Sequence, residues 1–378
     1  MENLNSVAYV ARINEIKPIE GADNIEQAVV GGWNCIIQKG QYTEGGLVVV
    51  ATTDAVIPQN LSDKMNVTNY LRKGQRVRTV KLRGVYSECL IIPLLYILKG
   101  NIDTYTEGKD MMEVMGISKY EPPIKQVQLA SGKKIKYQSN PNFHVYYKFP
   151  NIKNVPGIFT EKDNVQITLK LHGTNARYGI VKKTKLSLID KVKKFFRLAD
   201  KWIDYEFVVG SHNVEKGSDS QGYYDTNVWY DIADKYKLKE KLWHYVKVRA
   251  SVDKIEAGVV IYGEIYGPGI QKNYDYGLKE LEFAVFDVTW NNEYENAIRT
   301  EHVVKNALML PHVPVLYTGC WSQGVQDKYV FNNVIEGTKV PHEGIVIKHV
   351  SGKRQNIAKA INPDYLIYGE KHDVGDSH

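Results

Sequence analysis

The first hundred residues alternate or run apolar in short bursts, separated by glycine-bearing breaks. VAYVARI, VVGGWNCII, GLVVVATTDAV and RVRTVKLRGV are strand-length segments of this kind, and no strong helical period interrupts them. About five short strands without a helix predict a small closed barrel. An OB-like barrel over residues 1–100 is the reading adopted, since that fold commonly presents one face to nucleic acid. The longest apolar run, Cys89 to Leu98, is too short to span a bilayer and reads as a buried strand or a short core helix.

Residues 101–145 read as a connector: the stretch contains Pro122, Pro123 and Pro141 and sustains no period. From 146 to 370, strands such as NVQITLKL, FVVGS, GVVIYGEI, LEFAVFDV and GIVIKHV are interspersed with helical stretches. Over 188–203, Leu188, Val192, Phe195, Ala199 and Trp202 share one helical face, with lysines elsewhere; 232–249 is a second helix candidate. The mixture predicts an α+β domain of antiparallel sheets with flanking helices, not a repeating βαβ unit. Residues 371–378 read as a solvated tail.

Length changes this picture little: 378 residues suit two domains. An apolar share of 43% builds a sizeable core, which sets disordered and fibrous classes aside. The formal charge of +6 permits a polyanionic partner without requiring one. Its distribution says more. Arg72, Lys73, Arg76, Arg78, Lys81 and Arg83 form a run that no acid interrupts, a candidate nucleic-acid contact that competes with a plain solvated face. A second basic run extends from Lys182 to Arg197. Trp33 could stack on a base or be a partly buried barrel tryptophan. Cys35, Cys89 and Cys320 form no CxxC pair, so neither a zinc site nor a disulfide framework is indicated. A reducing, cytoplasmic compartment fits. Neither a secretory signal nor a membrane partner is expected.

Chemistry enters with QITLKLHGTNARYGIV, which reads as a hairpin with a tight turn at His172-Gly173-Thr174-Asn175. Lys170 ends its first strand. A lysine becomes a nucleophile only when deprotonated, which neighbouring cations or a metal must bring about. Alone, such a hairpin is weak evidence and is far more often an exposed lysine before a turn. Further along, YGEIYG carries Glu264, EFAVFDV carries Phe283, EGIVIK carries Glu343 and Lys348, and NIAKAI carries Lys359. Glu343 and Lys348 are five apart, so regular alternation places them on opposite faces unless a twist or bulge intervenes. Carboxylates and lysines gathered around a nucleophilic lysine suit phosphoryl chemistry: the lysines offset phosphate charge and the carboxylates hold a divalent ion.

These five segments, in this order, resemble motifs I, III, IIIa, IV and V of the covalent nucleotidyltransferases, the superfamily of ligases and mRNA-capping enzymes. The leading barrel resembles that of the RNA-ligase class of Deinococcus and Naegleria type; DNA ligases and capping enzymes usually carry it behind the catalytic domain. The resemblance implies an ATP-dependent RNA ligase sealing 5′-phosphate/3′-OH nicks in duplex RNA or an RNA/DNA hybrid, as a monomer, with Mg²⁺ or Mn²⁺. It assigns the lysyl-AMP to Lys170, adenine stacking to Phe283, and ribose or metal-water contact to Glu264. Glu343 takes the metal's water shell, and Lys348 and Lys359 the α-phosphate. Leu169, His172, Gly173, Asn175 and Arg177 fall at nucleotide-contacting positions. Three departures stand out: Leu169 where glutamate is frequent, His212 where related enzymes have arginine, and a single lysine, Lys359, where many carry two. A DNA ligase, a GTP-using capping enzyme and a catalytically lapsed RNA-binding protein are the competing readings.

Overall fold

The computed structural model describes residues 6–96, 105–120, 140–196, 198, 200–212, 214–216, 227–331, 333–351 and 356–374. Five antiparallel strands make the N-terminal unit: β1 (Ala8–Pro18), β2 (Ile25–Val30), β3 (Trp33–Gln38), β4 (Leu47–Thr52) and β5 (Cys89–Pro93), in the order β3-β2-β1-β4-β5. β1 serves two neighbours. Its first half pairs with β4 (Ala8↔Ala51) and its second half with β2 (Ile16↔Ala28). A register shift between Ile13 and Glu15 bends the strand, as bulges do. That curl brings the outer strands together, where the Glu88 N–H donates to Asn34 O at 2.8 Å and the Ile36 N–H to Ser87 Oγ at 3.0 Å. The predicted barrel is therefore present, with Cys89–Pro93 of the long apolar run supplying its last strand, followed by a 3₁₀ turn at Leu94–Tyr96.

Both faces of β4 are covered, which explains why LVVVAT runs apolar instead of alternating. Val48 and Val50 point into the barrel with Ile13, Val30, Trp33 and Ile91. Val49 and Ala51 join an outer layer with Tyr105, Met111 and Ile117. Part of the expected connector thus belongs to the barrel: Ser118–Lys119 pairs with Ala55–Val56, and the Val10 N–H donates to Lys109 O. Pro122 and Pro123 lie outside the described residues.

Two sheets form the second unit. The smaller holds β6 (Asn164–Lys170), β11 (Val315–Cys320), β12 (Gly344–His349) and β13 (Ile357–Ile361) in the order β11-β6-β12-β13. The larger holds β7 (Thr174–Lys182), β8 (Tyr205–Ser211), β9 (Gly258–Tyr266) and β10 (Glu282–Trp290) in the order β8-β7-β9-β10, with short edge strands at Glu215–Lys216 and Glu293–Tyr294. All pairs are antiparallel. One face of the larger sheet (Tyr178, Ile180, Ile261, Phe283) is buried under α2 (Val228–Lys235) and α3 (Leu238–Arg249). The expected single helix over 232–249 is broken at Lys237, which adopts φ 52°.

The helix expected over 188–203 is shorter. As α1 it spans Leu188–Phe195, opened by a capping box in which the Ser187 side chain accepts from the Asp190 N–H. Trp202 lies beyond it, and Ala199 lies outside the described residues. At the C-terminus α4 (Pro363–His372) packs back on the domain, and Val374 is buried with Tyr274 and Tyr365. The expected tail is therefore docked at least to Val374; residues 375–378 lie outside the described residues.

Candidate active site

Alternation along the strands decides which side chains meet. In β7 and β9, Asn175 is paired with Glu264 and Arg177 with Tyr262, so all four side chains share the face opposite the helices. On β6, Gln166, Thr168 and Lys170 share a face, which Val346 and Lys348 of β12 and Lys359 of β13 continue by register. These two faces oppose each other. Lys348 Nζ crosses to Asp287 Oδ2 at 3.0 Å and Phe286 O at 2.6 Å, and Gln166 Nε2 crosses to Glu301 Oε2 at 2.8 Å. The hairpin turn between Lys170 and Thr174 joins the sheets at the mouth of this cleft.

The turn is held closely. A Cβ on Gly173 would stand 2.1 Å from Ile265 O and 2.9 Å from Glu264 Cγ, so only glycine fits there. Gln271 Nε2 donates to Gly173 O at 2.5 Å, and the His172 N–H donates to Tyr276 Oη at 2.6 Å. The His172 ring is buried edge-on against Tyr274 and Tyr365, with Nδ1 3.9 Å from Glu343 Oε2.

Lys170 Nζ lies 2.5 Å from Glu343 Oε1. Glu343 reaches it because it precedes the regular strand: Gly344 has φ 149°, and a Cβ there would stand 2.2 Å from Ala360 O. That backbone turn resolves the odd spacing of Glu343 and Lys348. Burial pushes the Glu343 carboxyl up, but Lys170, His172 and Lys359 outweigh it and hold the group below its ordinary value. Glu264 goes the other way, raised to about 8 by burial and by the Glu343 charge, against Lys170 and the Gly173 N–H. Lys359 is pushed down to about 8 by burial and by the charge of Lys170. The sequence-predicted residues Lys170, His172, Gly173, Asn175, Glu264, Glu343 and Lys359 thus converge.

Other assignments meet different surroundings. Phe283 is fully buried: it pairs with Ile265, on the face away from Glu264, edge-on to Tyr178 and Tyr236. A ring there cannot stack on a nucleotide in the cleft, so the stacking assignment is corrected. A register shift between Tyr262 and Gly263 leaves Phe286 as the unpaired residue of β10, half-buried beside Tyr146 and near Ala284, which pairs with Glu264. Leu169 is buried with Leu171 and Val313, and its N–H donates to Pro314 O. Lys348 is committed to Asp287. Arg177 braces two segments, donating to Ser211 O and Phe143 O. His212 lies near it, its pKa lowered by burial and by the charges of Lys148 and Arg177. Sequence reasoning passed over Lys148, Phe286 and Asp287; only the last two carried a signal, as neighbours within EFAVFDV.

The basic run of the barrel divides. Arg72 and Arg78 lie 3.9 and 3.7 Å from Glu370, and Lys81 lies 3.7 Å from Asp364, both acids of α4. Arg76 pairs with Asp54 and stacks on Tyr120 at 4.2 Å. Lys73 and Arg83 are exposed. Trp33 is buried at the same domain junction, its Nε1 donating to Tyr9 Oη and Asn154 Oδ1.

A divalent ion fits the carboxylates. Glu343 Oε2 is buried and makes no hydrogen bond among the described residues, and Glu264 stands close by. Among the described residues no cluster of three or more metal-ligating side chains occurs. Carboxylate oxygens suit Mg²⁺ or Mn²⁺, hard ions of which Mg²⁺ typically keeps several waters and is completed by substrate phosphates.

Comparison with known proteins agrees with this geometry. A family model described as RNA ligase matches residues 163–361, and one for an OB-fold domain matches residues 7–94. Among curated protein sequences none matches significantly. Solved structures of Naegleria gruberi RNA ligase superpose along nearly the whole chain. Its pyrophosphate complex has TM-score 0.70 at 25% identity, covering 98% of this chain and 99% of that one. A point mutant with AMP and Mn gives 0.71 at 25%, covering 97% and 99%. Another mutant with ATP and Mn gives 0.69 at 25%, covering 97% and 98%. Because the catalytic match alone spans more than half of the sequence and contains the converging residues from Lys170 to Lys359, the chain belongs to the RNA ligase family.

Proposed function

We propose that this protein is an ATP-dependent RNA ligase that seals 5′-phosphate/3′-OH breaks through a lysyl-AMP on Lys170. One observation carries the reading. The Lys170 amine sits at the mouth of a two-sheet cleft, bonded to Glu343 and coupled electrostatically to Glu264 and Lys359. The Naegleria enzyme, of the same fold, binds ATP or AMP with manganese and also pyrophosphate, which supports the nucleotide and the leaving group.

Three displacements complete the reaction. Lys170 Nζ, having lost its proton, attacks the α-phosphorus of ATP; the P–N bond forms and pyrophosphate leaves. An oxygen of the RNA 5′-phosphate then attacks the same phosphorus, the P–N bond breaks and the amine returns. Finally the 3′-OH attacks the 5′-phosphorus, the phosphodiester forms and AMP leaves. Positioning and charge neutralisation dominate such steps. The bound divalent ion supplies neutralisation of phosphate charge, and Glu343 and Glu264 would hold its water shell. Lys359, which keeps its charge near neutral pH, would face the α-phosphate. Phe286 offers the cleft its aromatic ring, and Arg177 with His212 and Lys148 offers positive charge at the far side. A nicked duplex as substrate and a monomeric enzyme complete the proposal; Lys73 and Arg83 are the barrel cations exposed to the duplex.

The test is incubation with α-labelled ATP and manganese, followed by denaturing electrophoresis. A labelled band that vanishes in Lys170→Ala is expected. Labelling by GTP alone favours the capping-enzyme reading, and absence of any adduct overturns both.

A further inference from the structure

We propose that α1 and its flanks form a peripheral docking surface for an anionic phospholipid bilayer. The helix is amphipathic at 3.6 residues per turn: Leu188, Ile189, Val192, Phe195 and Phe196 fall within one stripe. A surface helix ordinarily turns such a stripe inward. Here no residue of the helix is buried, and Leu188 and Phe195 are each 81% exposed. Leu198, just beyond, is 76% exposed. Side chains of this size gathered in eleven positions make an apolar patch that water does not favour.

The charges around the stripe select the occupant. On the helical projection Lys191 and Lys193 stand at its two edges, and Lys185 precedes the helix. Asp190 is engaged by Lys183 at 2.9 Å and by the cap, and Lys194 is engaged by Asp204. Among the described residues no acid pairs with Lys185, Lys191 or Lys193. Lysines bordering an apolar stripe let their stems lie along hydrocarbon while the ammonium groups reach lipid phosphates. Protein interfaces, by contrast, are depleted of lysine. Beyond the helix, Trp202 is half-buried edge-on to Trp243 at 6.0 Å with Lys201 4.9 Å over its ring. Amphipathic rings of this kind sit at headgroup level.

Position argues against RNA as the occupant. α1 follows the Lys182 end of β7, whereas Asn175 is at the other end, about 25 Å away at ~3.4 Å per residue. An enzyme seated on lipid by α1 would keep its nucleotide cleft open to solvent. This surface is peripheral: no described helix is long and apolar enough to cross a membrane.

Co-sedimentation of the full chain with phosphatidylcholine vesicles, with and without phosphatidylserine, tests the proposal. Binding only to the phosphatidylserine vesicles, reversed by high salt, is expected. The double variant Phe195→Ser/Phe196→Ser should abolish it while lysyl-AMP labelling persists unchanged, and Lys191→Gln should weaken it about fivefold. Three results overturn it: no binding to phosphatidylserine vesicles, a smaller oligomer for the double variant in light scattering (a second copy covers the patch), or weaker binding of nicked RNA by that variant (RNA covers it).

Discussion

Replacing Gly173 by alanine perturbs the cleft at one atom. The added Cβ would lie 2.1 Å from Ile265 O and 2.9 Å from Glu264 Cγ. A relaxed carbon–oxygen contact is about 3.2 Å, so the turn and β9 must separate by roughly 1 Å. Neither side yields freely. The turn is tied to Gln271 and Tyr276, and Ile265 is in register with Thr174 on one side and Phe283 on the other. The shift therefore falls on Lys170, three residues before, or on Glu264, one residue before Ile265. A misplacement of ~1 Å between reacting groups costs on the order of a hundredfold in rate. Overpacking of this kind costs about 1–3 kcal/mol of stability, so the variant should still fold. Single-turnover formation of lysyl-AMP, followed by quench flow at saturating ATP, is the assay; thermal unfolding gives the control. Gly173→Ala labelling at the wild-type rate would refute the claim that close approach of turn and β9 sets the nucleophile's position.

Three further outcomes follow from the same geometry. Glu264 rises from 4.5 to about 8 on folding, so the folded state binds its proton more tightly, and stability falls as pH climbs from about 4.5 to 8. Glu264→Gln cannot ionise. In metal-free buffer its unfolding free energy from urea titration should gain on wild type across that window, by on the order of a few kcal/mol, and level off above it; a constant difference speaks against the assignment. Asp287→Asn strands the Lys348 ammonium, since their side chains are 2% and 13% exposed. The loss should be about 3 kcal/mol, largely recovered in Asp287→Asn/Lys348→Met, and a single-variant cost under ~1 kcal/mol counts against a committed pair. Phe283→Ala should cost about 3–5 kcal/mol as a core cavity. Phe286→Ala should instead raise the KM for ATP, and the reverse pattern would restore Phe283 to the site.

Much of this was legible in the sequence, and the failures share a physical cause. Strands, barrel and motif order could be read because alternation and turn chemistry are local. Glu343 and Lys348 reach one cleft only through Gly344, whose φ of 149° leaves no trace in a periodic pattern. Phe283 misled for a related reason: one bulged position at Phe286 decides which aromatic of EFAVFDV faces the nucleotide side, and a bulge is fixed by the partner strand. The basic run Arg72–Arg83 was visible, but its partners Asp364 and Glu370 come from α4, nearly three hundred residues away. Separation in sequence, here about sixty residues, also hid the docking of residues 105–120 on the barrel, since Val49 and Ala51 look like core whether or not Met111 and Ile117 cover them.

The opposed shifts of Glu264 and Lys359 predict that the cleft prefers a nucleotide accompanied by a cation. Near neutral pH the buried Glu264 keeps its proton, which lowers its appetite for a lone divalent ion. Lys359, lowered to about 8 by burial and by Lys170, still carries its charge there, and an incoming anion favours that charge further. Free ATP meets the carboxylate of Glu343 without compensation. A metal–ATP complex would satisfy both halves at once: the polyphosphate favours charged Lys359, and the cation favours charged Glu264, whose proton goes to solvent. Each ligand should therefore tighten the other's binding, and binding of the pair near neutral pH should release a proton, measurable by titration in buffers of different ionisation enthalpy.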